Sequence, residues 1–211
     1  MSIAAQPSAE ALVCLHNVPW KMYEALRDEL ENRNVRMTYD RGWLQLMCPS
    51  KLHERLGNLL GRLIEAWTEQ AGIEVQNCRC MTLRRLEQER GLEPDNCFYI
   101  EHEPAVRGRD ELDLERDPPP DLAVEIDVAS SSVGRMEIYA AVGVPEVWRW
   151  KDGGIEVYRL DRRGRYRRRE GSLALPGFPF TEAERTLARR RSLGDHALVR
   201  AFRNSLFRNK K

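Results

Sequence analysis

No apolar run in the chain approaches the roughly 18 residues that a membrane-spanning helix needs, and the first twenty residues lack the basic start and apolar core of a secretory signal. The sequence therefore reads as a cytoplasmic protein with no membrane partner. Glycine fingerprints are missing as well. There is no GxGxxG, no GxxxxGK[ST] and no GxSxG, which removes the common dinucleotide-binding, NTPase and α/β-hydrolase readings. Nor does one sign of charge dominate: 34 basic residues against 33 acidic ones leave a formal net charge of +1. Cysteine is sparse. Five residues (Cys14, Cys48, Cys78, Cys80, Cys97) are an odd number in no zinc-finger spacing, so reduced and mostly buried thiols are expected rather than a metal or disulfide framework.

What the chain does have is 42% hydrophobic and 32% charged residues over 211 positions, the composition of one globular domain with extensions. Its charges are segregated. Acidic residues concentrate between Glu87 and Asp127, arginines cluster in residues 159–169, and residues 185–211 are basic again. This split suits either a nucleic-acid contact surface beside an acidic cleft or a solvated hairpin and tail. On the first alternative Arg162, Arg163, Arg165, Arg167, Arg168 and Arg169 would contact the nucleic-acid backbone.

Periodicity gives the elements. A helix over 19–33 carries Trp20, Tyr23, Leu26 and Leu30 on one stripe. Strands over 35–39 and 43–47 flank the turn Asp40-Arg41-Gly42. Ser50 caps a helix that runs to Gln70, with a broad apolar face from Leu52 to Trp67, and Gly72 closes it. Short strands follow at 73–77, 80–83 and 97–100, the last after a turn at 91–95, and residues 101–120 read as an exposed loop. A strand at 121–128, a serine-rich turn and a helix at 133–142 come next. Strands at 146–150 and 155–160 and one beginning at Tyr166 then precede one or two weak helices within 181–207. The resulting fold class is α/β, a mixed central sheet flanked by helices. A flexible leader (1–17), a core domain (18–180) and a basic helical extension (181–211) are the expected divisions.

The strand at 121–127 alternates. Leu122, Val124 and Ile126 point one way and Asp121, Glu125 and Asp127 the other. Carboxylates crowded on one face of an apolar strand repel each other unless a cation sits among them, and a divalent metal is the obvious one. Asp95, in a Pro-Asp turn just before an apolar strand, could supply a second carboxylate beside Glu125, or could merely cap its turn. Asp121 reads as a strand-opening residue. His16, His102 and His196 have no partner spacing, His53 reads as a capping or packing residue, and Tyr139 as core.

Three segments in order, EPDNCFYI, PPPDLAVEIDVASSS and RMEIYAAVGVPEVWRW, resemble the Uma-two family, a branch of the PD-(D/E)xK nuclease superfamily, over residues 18–202. The resemblance implies a restriction-endonuclease-like fold, Mg²⁺ or Mn²⁺ as cofactor and DNA as substrate, with a homodimer as a permitted assembly. Residue by residue, Pro94-Asp95 matches the PD motif, Glu125 the acidic motif residue, and Glu54 the glutamate that some members contribute from the first core helix. Asp127 stands where the motif lysine is expected and is a candidate third metal ligand. Arg135 matches the position to which relatives move that lysine. An arginine can hold a phosphate but cannot act as a base. The alternative function is therefore a catalytically impaired nuclease-like module that binds DNA or another protein.

Overall fold

A computed structural model of the protein describes residues 10–30, 34–128 and 134–208. In chain order, β1 (Ala11–Leu15) precedes α1 (Trp20–Leu30), β2 (Arg36–Asp40), β3 (Trp43–Cys48) and the long helix α2 (Lys51–Ala71). Short strands β4 (Gln76–Asn77), β5 (Leu83–Arg85), β6 (Arg90–Leu92) and β7 (Asn96–Tyr99) follow, then α3 (Glu103–Val106), β8 (Leu122–Asp127) and α4 (Arg135–Val142). The chain continues through β9 (Glu146–Lys151), β10 (Gly154–Leu160) and β11 (Tyr166–Arg169). It finishes with α5 (Phe180–Ala188) and α6 (Asp195–Arg208), joined through a 3₁₀ turn.

Local chemistry sets several of these boundaries. The Ser50 hydroxyl accepts the N–H of His53 at the start of α2, and Gly72 takes the left-handed conformation (φ 69°) that ends it. Both tight hairpins place two consecutive residues at positive φ, Arg41-Gly42 and Asp152-Gly153, the signature of a type I′ turn.

The mixed sheet has six strands in the order β11-β10-β9-β8-β7-β4. Its one parallel pair is β8 with β9, across the helix α4, and the other pairings are antiparallel. Leu122, Val124 and Ile126 of β8 pack with Trp148 and Trp150 against α2, α5 and α6. Ala123 and Val147 face the opposite way, toward Ile138, Tyr139 and Val142 of α4 and Leu83 and Leu92 of β5 and β6. Each fully buried large side chain contributes about 1.5–3 kcal/mol, so the alternation in β8 is satisfied on both faces.

The sequence reading differs from the structure in several places. A second sheet exists, entirely antiparallel and five-stranded (β1-β3-β2-β6-β5), and α1 packs on it through Trp20 and Tyr23. Residues 11–15, expected in the leader, form β1 because their backbone pairs with β3 from Ala11↔Cys48 to Leu15↔Leu44. Gly91 and Leu92, expected in a turn, lie in β6, where they pair with Tyr39 and Thr38. The strands expected at 73–77 and 80–83 reduce to Gln76–Asn77 and move to Leu83–Arg85. Helix α6, expected in an extension, is anchored in the main core by Leu198 and Phe202. The end of the first predicted helix (31–33) and the serine-rich turn with Val133 fall outside the described residues. No helix among those described is long and apolar enough to cross a membrane.

Candidate active site

Asp95 stands immediately before β7 and Glu125 lies inside β8, and β7 and β8 are antiparallel neighbours in which Asn96 pairs with Val124. That register brings the two carboxylates together. Asp95 Oδ2 accepts the backbone N–H of Ile126, the residue after Glu125, at 2.8 Å. Both side chains are almost wholly buried. Burial pushes the Glu125 carboxyl up to about 7; the Arg135 guanidinium pulls the other way and the charge of Asp95 adds to the rise. Burial would also raise Asp95, but the contact with His53 and the charges of His53 and Arg135 hold it below the usual carboxylate range.

The helix α4 meets Glu125 at two points one turn apart. Arg135 Nη1 lies 2.9 Å from Glu125 Oε2, and the Tyr139 hydroxyl donates to Oε1. Arg135 also donates from Nη2 to the Glu93 carbonyl at 2.9 Å. The guanidinium stays charged: burial opposes the charge, but Glu125 together with Tyr139, Asp95 and Asp127 outweighs it. Burial, reinforced by Glu125, drives the Tyr139 phenol well above its ordinary range, so Tyr139 remains a donor.

On the Asp95 side, His53 from the first turn of α2 places Nε2 2.7 Å from Asp95 Oδ1 and Nδ1 2.5 Å from Glu10 Oε1. Burial alone would lower the imidazole, yet Asp95 and then Glu10 push it up to about 9. Donation from both ring nitrogens requires the imidazolium. Arg36 of β2 pairs with Glu54 at 2.9 Å and approaches Asp95 Oδ1 to 4.0 Å. His53 and Arg36 stand between two clefts. One, of about 190 Å³, is lined by Asn34, Glu54, Asn58, Arg79, Cys80 and Asp95 among others. The other is lined by Glu10, Leu12, Gln45, Asp127 and Arg135 among others.

The oxygen chemistry of Asp95 and Glu125 fits a hard divalent cation. Among the described residues, Asp95 Oδ1 and Glu125 Oε2 are buried with only the ion-pair contacts of His53 and Arg135 and no well-aligned hydrogen bond, and Asn96 Oδ1, Arg36 Nε and Arg135 Nε around them have no hydrogen-bond partner. Orphaned buried polar atoms are costly, and their concentration at one point marks a place where further polar atoms belong. Two carboxylates completed by water suit Mg²⁺, which keeps much of its hydration shell.

Asp127 does not join this group. Its carboxylate is taken by Arg149 from the neighbouring strand, and no cluster of three or more His, Cys, Asp or Glu side chains suited to a metal occurs among the described residues. The physical reason is the register. Glu125 faces Arg149 and Asp127 faces Lys151, so the long Arg149 side chain reaches the diagonal acid at the strand end. Glu54 lines the cleft through its pair with Arg36. The six arginines from Arg162 to Arg169 are exposed in the turn and outer strand of the β10–β11 hairpin, whose strand β11 is three strands away from β8.

Sequence reasoning passed over His53, Arg36, Glu10 and Tyr139 as site residues. Tyr139 had a usable signal, its spacing of four from Arg135 on one helix. His53 had none, because its partners come from residue 10 and residue 95.

One family model matches the chain, over residues 20–191: Uma2, described as "Putative restriction endonuclease". No curated protein matches it.

Proposed function

The chain belongs to the Uma2 family, and from that membership we propose that it is a metal-dependent endonuclease hydrolysing DNA phosphodiester bonds. The observation that carries the reading is the pair Asp95 and Glu125, brought by the adjacent strands β7 and β8 to one buried point, each with an oxygen that makes an ion-pair contact but no aligned hydrogen bond. These two carboxylates would hold Mg²⁺ or Mn²⁺. The bound ion supplies Lewis acidity at the phosphate and a water acidic enough to attack near neutral pH. Asp127 assists from the cleft wall, where it anchors Arg149.

Arg135 favours the ionised form of Glu125 against its burial and holds it close, and its unpaired Nε–H offers charge to a phosphate oxygen as negative charge builds there. It never serves as the base, since a guanidinium keeps its proton. Glu54, fixed by Arg36, orients water at the mouth of the cleft. The arginine-rich β10–β11 hairpin supplies contact to the DNA backbone, through Arg168 on the sheet face of Glu125, and a two-fold dimer would let each subunit cut one strand.

A second reading rests on one specific observation, that Arg135 sits on Glu125 where the motif pattern expects a lysine. On that reading the domain binds DNA without cutting it. A plasmid-nicking assay with Mn²⁺ separates the two. The wild-type protein should nick, and Asp95→Ala and Glu125→Ala should fall to background. Equal background nicking by all three proteins would remove the enzyme, and salt-sensitive DNA binding that survives both substitutions would establish the binding module.

A further inference from the structure

Residues 10–15 precede the part of the chain that matches the family, residues 20–191, yet they reach the site. All five residues of β1 are exposed, Leu12, Val13 and Leu15 among them, so apolar burial by its side chains does little to hold this strand. Where the segment turns inward is Glu10. Its side chain is only 11% exposed and its Oε1 lies 2.5 Å from His53 Nδ1. The pairing Ala11↔Cys48 sets Glu10 beside the approach to α2, where Ser50 caps the backbone of His53. Both the main chain and the ring of His53 are thereby fixed, and the other ring nitrogen faces Asp95 Oδ1 at 2.7 Å.

We propose, resting on the metal-nuclease reading above, that Glu10 is a positioning residue of the active site, acting through His53 on Asp95, and that the N-terminal strand completes the site. Partners behind a ligating group fix its orientation and which lone pair it offers, and their removal typically weakens metal binding about 10–100-fold. Here the order is carboxylate, imidazole, carboxylate. The Ile126 N–H holds Asp95 Oδ2 and His53 holds one side of Oδ1, so Asp95 would offer the cation a carboxylate fixed in orientation. Without Glu10 the ring keeps only its Asp95 contact and can turn about χ2, and Asp95 loses its fixed partner. Arg36 and Glu54 also face this corner, but neither touches the Nδ1 side of the ring.

The test uses the full chain with Glu10→Ala and Glu10→Gln, the latter keeping an acceptor oxygen for Nδ1–H. Three measurements are compared: imidazole ¹⁵N–¹H correlation spectra without metal, Mn²⁺ affinity by paramagnetic resonance, and plasmid nicking, with thermal unfolding to verify the fold. Glu10→Ala should shift the His53 ring resonances, weaken Mn²⁺ binding about tenfold and slow nicking in parallel, while Glu10→Gln should retain most of each. Unchanged His53 resonances in Glu10→Ala would overturn the proposal. So would tighter Mn²⁺ binding, which would make Glu10 and His53 a cap on Asp95 rather than its support. A wild-type protein that neither binds Mn²⁺ nor nicks would defeat the metal-nuclease reading instead, and the imidazole spectra would still decide whether Glu10 fixes His53.

Discussion

Arg135 is the residue in which function and stability are hardest to separate. Its guanidinium is buried against Glu125, and losing one partner of a buried ion pair strands the other's charge. Arg135→Ala should cost about 3–5 kcal/mol in urea unfolding at pH 8. The cost should shrink at pH 5, because a carboxyl pushed up to about 7 even with Arg135 present escapes the penalty by taking a proton. A cost independent of pH would mean that Glu125 is not the group left uncompensated. His53 and Glu125 also set a pH trend in the metal-free protein. A folded-state pKa raised above the unfolded value contributes stability that is complete below the unfolded pKa and is lost as pH climbs through the folded one. His53 moves from 6.5 to about 9 and Glu125 from 4.5 to about 7, so both losses run in the same direction. The unfolding midpoint should fall between pH 4.5 and about pH 9, the window spanned by those two shifts, and His53→Gln should flatten the upper part of that fall. At this scale the sequence was half legible. Alternation in β8 and the Pro-Asp turn pointed to Glu125 and Asp95, whereas the environment of His53 depends on two chain segments that no local pattern connects to it.

At the scale of elements, helix α2 can lie close to the start of β7 because Gly61 has no side chain. A Cβ at Gly61 would stand 2.5 Å from Asn96 Nδ2, and one at Gly57 would be 3.7 Å from Asp95 Cβ. Asn96 passes over Gly61 to donate to the Gly57 carbonyl at 3.2 Å. Glycine inside a helix costs about 0.5–1 kcal/mol relative to alanine, so the close approach of β7 must outweigh the gain in helix propensity. Gly61→Ala should therefore destabilise the protein, by about 1–3 kcal/mol as for other overpacked sites, and should displace Asn96 and with it Asp95. Denaturant unfolding that shows alanine stabilising the fold would contradict the tight fit. Helix α2 itself was readable from its cap, its stripe and its closing glycine, since all three are local. The second sheet was not, because β1 and β6 acquire their strand character from partners elsewhere in the chain. Gly91-Leu92 followed by Glu-Pro-Asp carries turn chemistry that pairing with β2 and β5 overrides.

Over the whole molecule, register divides the arginine-rich hairpin into parts that meet DNA differently. Arg168 pairs with Tyr158, Tyr158 with Val147, and Val147 with Ala123, so Arg168 shares the sheet face of Ala123 and Glu125. A line of polar contacts crosses that face: Asp127 holds Arg149, Arg149 lies over the Tyr158 ring, Tyr158 donates to Glu156, and Glu156 pairs with Arg168 at 3.1 Å. Three strand spacings, about 14 Å, separate β8 from β11, a distance over which one bound duplex can touch both the metal corner and Arg168. Arg167 and Arg169 follow the opposite face through Arg159 and Val157, and the turn bearing Arg162, Arg163 and Arg165 lies past the end of β8 away from Glu125. DNA held at Asp95 and Glu125 should therefore count Arg168 among its phosphate contacts and not Arg167 or Arg169. In binding titrations on duplex DNA at several salt concentrations, Arg168→Ala should reduce the steepness of the log-affinity against log-salt line by about 0.9, the value of one phosphate contact. Arg167→Ala and Arg169→Ala should leave it unchanged. Equal losses from all three would mean that the hairpin binds DNA as a diffuse basic surface, and that the face leading from Glu125 to the sheet edge does not guide the duplex.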